Sequence, residues 1–205
     1  MPATAVLLYV TDTMADWECG HAIAHIQSPN WQRTPGRYAV TTVAATAAPV
    51  TTMGGVRIVP DRTLTELQPG DAAMLILPGG ETWPDAERHA EVIAHTRARI
   101  AQERPVAAIC GATFALAAAG LLDERAHTSN AAMYLESSGY AGGHLYREQP
   151  AVTDRGLITA SGCFPVDFAA HIFAALELYE APVLDAWHGL YTTGSPEHFA
   201  VLAAA

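Results

Sequence analysis

Six short apolar runs punctuate the chain, each bounded by turn-forming or polar residues. Residues 5–10 (AVLLYV) mix β-branched and aromatic side chains and predict a buried first strand. Residues 37–43 (RYAVTTV) predict a second, and residues 54–60 (GGVRIVP) a third, read as half of a hairpin. Residues 72–80 (AAMLILPGG) carry the strongest strand pattern and end in Pro-Gly-Gly. Residues 106–110 (VAAIC) and 156–162 (GLITASG) complete the set. Between them the spacing turns helical. Residues 16–26, 85–103, the segment after 110, and 165–180 read as helices, the last with Pro165 in its first turn. Buried strands alternating with helices predict an α/β fold with a parallel sheet covered on both faces. With 205 residues and no internal repeat or long linker, the chain reads as one domain, 1–205.

In such sheets the functional groups gather beyond the carboxyl ends of the strands. Three stretches fall there: the loop at 12–18, PGGETW at 78–83, and CGAT at 110–113. They are distant in sequence and are expected to converge.

Composition narrows the chemistry. Half the residues are hydrophobic and the formal net charge is −10, which disfavours a nucleic-acid partner. No apolar run reaches membrane-spanning length, and no basic leader precedes the first strand. All eleven basic residues are arginine, which removes lysine Schiff-base chemistry and the P-loop lysine. No GxGxxG fingerprint is present, and no cofactor is expected. The three cysteines, Cys19, Cys110 and Cys163, form no CxxC pair, so a reducing cytoplasm is the expected setting.

The run Ala108-Ile109-Cys110-Gly111-Ala112 has small residues two positions either side of a thiol. A nucleophile elbow demands this, because strand and helix approach closely at the turn. A helix N-terminus there favours a thiolate. A buried structural cysteine would leave the same local pattern. Beside a nucleophile, the Gly80 and Gly111 amides could serve a developing oxyanion. The segment DTMADWECGHAIAH adds Asp16, Glu18, His21 and His25. The two histidines share a helix face at i, i+4 but lack a third ligand, so they read as surface or packing residues and no metal site is expected. Glu18 is the stronger candidate, although a first-turn glutamate also complements the helix dipole.

Taken together, AAICGATFALAAAGLLDER, LILPGG, DWE and LITASG resemble the ThiJ/PfpI family, which includes the Parkinson-associated protein deglycase and sits within the class I glutamine amidotransferase-like superfamily. The resemblance runs from about residue 5 to residue 180. It implies a flavodoxin-like three-layer sandwich and a homodimer. It implies Cys110 as the reactive cysteine and Glu18 as the carboxyl against it. It places Gly79, Gly80 and Gly111 near the pocket, and Gly162 in a late loop lining it.

This sequence departs from the family at its histidines. Gly111 stands where the protease-like branch has histidine after the cysteine, and Asn130 stands where other members carry one in a later strand. His127 is close in sequence, but alternation along a strand puts it on the face opposite Asn130. Asp16, Gly79, Gly162, Asn130 and His127 are therefore carried as binding candidates, and Cys110, Glu18, Gly80 and Gly111 as catalytic ones. The leading expectation is a cysteine-dependent enzyme acting on a small amide, aldehyde, dicarbonyl or isonitrile, with Glu18 relaying a proton. The alternatives are a stress-response protein whose Cys110 is reversibly oxidised, or a binding member that has lost its chemistry.

Overall fold

The structure, a computed structural model, describes residues 3–68 and 70–205. Strands β1 (Thr4–Tyr9), β2 (Tyr38–Ala44), β5 (Arg62–Thr63), β6 (Met74–Leu77), β7 (Val106–Ile109), β8 (Ala151–Asp154) and β9 (Leu157–Ala160) form one sheet in the order β5-β2-β1-β6-β7-β9-β8. Every pair is parallel except β8–β9, whose antiparallel pairing closes one edge. Strands β3 (Val50–Thr51) and β4 (Arg57–Ile58) make a separate antiparallel hairpin. The third predicted strand is thus half of a hairpin and lies outside the main sheet.

The register shows how the sequence pattern builds two cores. Leu7, Leu75, Val106 and Leu157 sit side by side across β1, β6, β7 and β9, and all face one side. Their neighbours Leu8, Ile76, Ala107 and Ile158 form the next row and face the other side. Both rows are buried, which is why these strands read as continuous apolar runs. Each leucine or isoleucine so buried contributes roughly 1.5–3 kcal/mol.

Helices α1 (Asp16–Gln27), α5 (Pro165–Ala175) and α6 (Ala181–Thr193) cover one face with Ala22, Ile26, Phe168, Ile172 and Trp187. Helices α2 (Ala86–Ala101) and α3 (Gly111–Ala118) cover the other with Val92, Ala112 and Leu116. Helix α4 (Ala132–Glu136) is short, and α7 (Pro196–Ala203) packs on α6. The result is a flavodoxin-like three-layer α/β sandwich. None of its described helices is long and apolar enough to cross a membrane.

Two expectations shift at the C-terminal end. The helix predicted over 165–180 stops at Ala175, because Glu177 adopts φ +50° and Pro182 opens a new helix. Strand β5, only two residues long, and edge strand β8, which ends in Thr153 and Asp154, carry no continuous apolar run for the pattern to reveal.

The site owes its position to the strand ends. The chain leaves β1 into residues 10–15, β6 into Pro78-Gly79-Gly80, β7 into Cys110 and β9 into Ser161-Gly162. These four parallel strands all finish at the same edge of the sheet.

Candidate active site

Cys110 links β7 to α3 with φ +57° and ψ −123°. A side chain in this region costs about 1–3 kcal/mol, so the surroundings must enforce it. They do so from both sides. The Cys110 N–H donates to Ala160 O at 3.0 Å on β9. Its carbonyl accepts from the Thr113 N–H at 3.0 Å and from Thr113 Oγ1 at 2.6 Å. Ala108 and Ala112 are fully buried on either side, as the small-residue pattern requires. The thiol therefore stands on a sharp strand-to-helix turn and is only half-buried.

Glu18, in the first turn of α1, is 1% exposed and lies against this thiol. Its Oε2 accepts the Gly79 N–H at 2.5 Å. Its Oε1 finds no nitrogen or oxygen partner among the described residues. Two glycines make the close approach possible. A Cβ on Gly79 would stand 2.5 Å from Glu18 Oε2 and 2.7 Å from Cys110 Cβ. One on Gly162 would stand 2.7 Å from Glu18 Oε1 and 3.0 Å from Cys110 Sγ. Carboxyl and thiol are thus clamped between two bare backbones.

Asn130 completes the first ring of contacts. Its Oδ1 accepts the Gly162 N–H at 2.9 Å and faces Ser161 Oγ at 3.4 Å, which turns Nδ2 toward Cys110 Sγ at 3.2 Å. Ser129 positions it through a hydrogen bond with Thr113 Oγ1 at 2.7 Å. A cleft of about 200 Å³, lined by Asn130, Ser161, Phe164 and Tyr146, opens on this side.

The electrostatics differ from the sequence expectation. Burial pushes the Cys110 thiol up to about 11; Asn130 and the Gly111 N–H pull it down, and Glu18 adds to the rise. The helix N-terminus does not outweigh burial and a neighbouring carboxyl, so the resting group is a thiol. Burial also raises Glu18, against the pull of its bonds to Cys110 and Gly79. Both groups hold protons more firmly than usual.

The remaining candidates separate by position. The backbone of Gly80 lies 2.9–3.4 Å from where a Gly111 Cβ would stand, so the two amides flank the elbow together. Asp16 is engaged elsewhere: it accepts from Thr52 Oγ1 at 2.5 Å and the Gly54 N–H at 2.7 Å, which tie residues 52–54 to α1 and hold its carboxyl low. His127 does not join the thiol. It is fully buried, with Nδ1 on Arg125 O at 2.7 Å and Nε2 on the Tyr140 hydroxyl at 3.0 Å. Its β-bridge to Tyr146 turns the ring away from Asn130, as alternation along the backbone dictates.

Among the aromatic residues, Trp17 is 52% exposed at the rim and donates to Gly162 O at 3.2 Å. Trp83 is buried beneath the elbow and donates to Pro78 O at 2.8 Å. Tyr134 packs on Phe114, close enough to feel the charge of Cys110 and Glu18. Trp187 is core. His188 pairs with Asp167 at 3.0 Å in a separate cavity of about 440 Å³, whose lining shares no residue with the thiol's contacts. His21 and His25 pack among Trp31, Trp187 and Tyr191. The sequence reading overlooked Thr113, Ser129 and Ser161; Thr113 lies within the quoted CGAT, but its role depends on what faces it.

Relatives show the same plan. A sequence from Bacillus subtilis described as "Uncharacterized protease YoaZ" is 37% identical over 97% of this chain and 96% of its own length. The crystal structure of a thiJ/pfpI family protein from Bacillus anthracis superposes with a TM-score of 0.93 at 39% identity, covering 100% of this chain and 97% of that one. DJ-1 superfamily protein Atu0886 from Agrobacterium tumefaciens gives 0.81 at 30% identity, covering 94% and 100%. The profile of the DJ-1/PfpI family matches residues 4–175, which span every strand of the sheet and all the residues around Cys110. With its elbow thiol, its clamped carboxyl and this match along the sheet, the chain belongs to the DJ-1/PfpI family.

Proposed function

We propose that the protein is a cysteine-dependent enzyme that hydrates or hydrolyses a small electrophile. The observation that carries this reading is the buried Glu18 Oε1, which lacks a nitrogen or oxygen partner and faces the Cys110 thiol. A buried carboxyl oxygen left in that state is costly unless it has a proton to exchange. As Sγ attacks the electrophilic carbon, its proton passes to Glu18. Charge developing on the substrate heteroatom meets the Gly80 and Gly111 amides. Glu18 returns the proton to that heteroatom, which stays bonded in a hydration and departs with the proton in a hydrolysis; water then adds at the carbon, the S–C bond breaks, and a proton from the water restores the thiol.

Peptide hydrolysis is a poor fit. An amine leaving from an extended peptide needs a mobile acid, normally histidine. The groups that set the Cys110 titration are Glu18, Asn130 and the Gly111 amide. Turnover of amides, dicarbonyls, isonitriles and peptides should be compared between wild type and Cys110→Ser. Small-substrate turnover lost in Cys110→Ser, with no Cys110-dependent cleavage of casein, is the expected result. Robust Cys110-dependent peptide cleavage would overturn the substrate class, and turnover retained in Cys110→Ser would overturn the whole reading. The family resemblance leads us further to a homodimer, which light scattering at micromolar concentration checks.

A further inference from the structure

We propose that Cys163 is a resolving thiol for Cys110: on exposure to a hydroperoxide the two close an intramolecular disulfide that shuts the site reversibly. This rests on Cys110 being the reactive thiol and concerns its regulation.

Cys163 sits in the loop that follows β9. Ser161, Gly162, Cys163 and Phe164 form a four-residue turn, with the Phe164 N–H on Ser161 O at 2.9 Å. Gly162 occupies the first central position and presses on the thiol, since its missing Cβ would stand 3.0 Å from Cys110 Sγ. Cys163 occupies the second. Successive Cα atoms are 3.8 Å apart, so chain geometry keeps the Cys163 Cα within roughly 10 Å of that of Cys110. A disulfide needs about 4.4–6.8 Å, a gap that reorienting one turn residue spans. Gly162 is fixed by its N–H on Asn130 Oδ1 at 2.9 Å and its carbonyl on the Trp17 indole at 3.2 Å, so the movement falls on Cys163, whose N–H reaches Ser161 Oγ at 3.4 Å and which is exposed and free. Cys19 offers no competition, being 1% exposed beneath α1.

The chemistry balances with a hydroperoxide as oxidant. Cys110 Sγ attacks the terminal peroxide oxygen while its proton goes to Glu18. The O–O bond breaks, the peroxide leaves as an alcohol or water, and Cys110 becomes a sulfenic acid. Cys163 sulfur then attacks the Cys110 sulfur. The S–O bond breaks, and hydroxide leaves as water with the proton that Cys163 gives up. Two thiols and one hydroperoxide yield one disulfide, one alcohol and one water. Without Cys163 the sulfenic acid meets a second peroxide and proceeds to the sulfinic acid, which thiol reductants do not reverse.

The test is intact mass and non-reducing peptide mapping after titration with hydrogen peroxide, on wild type and Cys163→Ser. Wild type should lose 2 Da, map to a Cys110–Cys163 crosslink, and recover under dithiothreitol. Cys163→Ser, altered at an exposed position, should lose its Cys110 thiol at the same initial rate but gain about 32 Da as sulfinic acid. Equal sulfinic acid formation in both proteins would overturn the resolving role and leave the reactive Cys110 intact. A Cys163–Cys163 bond between two copies would overturn it equally. Oxidation that bypasses Cys110 altogether would overturn both this inference and the assignment of Cys110.

Discussion

Helix α1 carries Glu18, buried, and His25, half-buried, two turns apart, and they meet opposite fates. Glu18 enters a site where one oxygen is bonded to Gly79 and the other is left facing a thiol on a strained turn. His25 enters an aromatic cluster that engages one nitrogen and the face of its ring. Its Nε2 accepts the Trp187 N–H at 3.1 Å and faces the Tyr191 hydroxyl at 3.1 Å, while the ring stacks on Trp31. Burial perturbs both: it raises Glu18, and together with His21 it takes His25 down to about 4. A shifted pKa therefore does not by itself mark chemistry. The difference lies in the partners: His25 Nε2 accepts an N–H, which favours the neutral ring, whereas Glu18 Oε1 has no nitrogen or oxygen partner and faces a thiol.

The largest expected effect comes from filling the clamp on the Glu18 side. Gly162→Ala places a methyl group within 3.0 Å of both Glu18 and Cys110. Overpacking of this kind costs about 1–3 kcal/mol, and displacing either group should slow iodoacetamide labelling of Cys110 at least about tenfold, a rise near 1.4 kcal/mol in the barrier. Gly20→Ala is the control on the same helix as Glu18, since nothing lies within 4 Å of its added Cβ. It should stabilise by about 0.5–1 kcal/mol through helix propensity and leave labelling unchanged. Peptide-mapped labelling with thermal melts reads both, and unchanged labelling in Gly162→Ala would remove the clamp from the argument.

An intermediate effect separates charge from shape. Because ionised Glu18 raises the thiol, Glu18→Gln should move the Cys110 titration below about 11 while abolishing turnover. Asp16→Asn should change neither, its carboxylate being committed to Thr52 and Gly54. The pH profile of thiol alkylation distinguishes them; identical profiles in wild type and Glu18→Gln would sink proton exchange between Glu18 and Cys110.

The smallest effect tests the other end of α1. His25 titrates near 4 when folded and near 6.5 in its unperturbed state. Between those values the unfolded chain binds the extra proton, so its contribution to stability falls as pH drops from about 6.5 toward about 4. Glu18 runs the other way. Its raised pKa makes the folded state hold the proton, which favours folding as the solution turns acidic through that range. A fall of several degrees in Tm between pH 7 and pH 5 should be partly flattened in His25→Leu. That variant should also start lower at pH 7, because the Trp187 N–H loses its acceptor. A slope unaltered in His25→Leu would show that the cluster does not hold His25 neutral.

Much of the site was legible because its constraints are local. The small residues around Cys110 announce a tight strand-to-helix turn, and the glycines after β6 announce a close backbone approach. The surface or packing role of His21 and His25 followed from the lack of a third ligand. The thiol's ionisation did not follow: the helix N-terminus was visible in the pattern, but the desolvation that overrides it is a property of the assembled site. The late helices failed for a similar reason. The apolar pattern continues past Ala175, and only the backbone at Glu177 reveals the break before α6.

The sequence by itself determined the two-sided parallel sheet, since continuous apolar strands between helices bury both faces in one way only. It also determined the elbow, whose side-chain sizes are dictated within five residues. Tertiary structure decided which polar groups meet. Asn130 and His127 lie three residues apart, yet one bonds the thiol and the other is sealed against Tyr140. Glu18 and Asp16 lie in the same helical turn, yet one faces Cys110 and the other ties down residues 52–54. Backbone pairing and helix rotation set those directions through contacts from strands tens of residues away, and no local pattern encodes them.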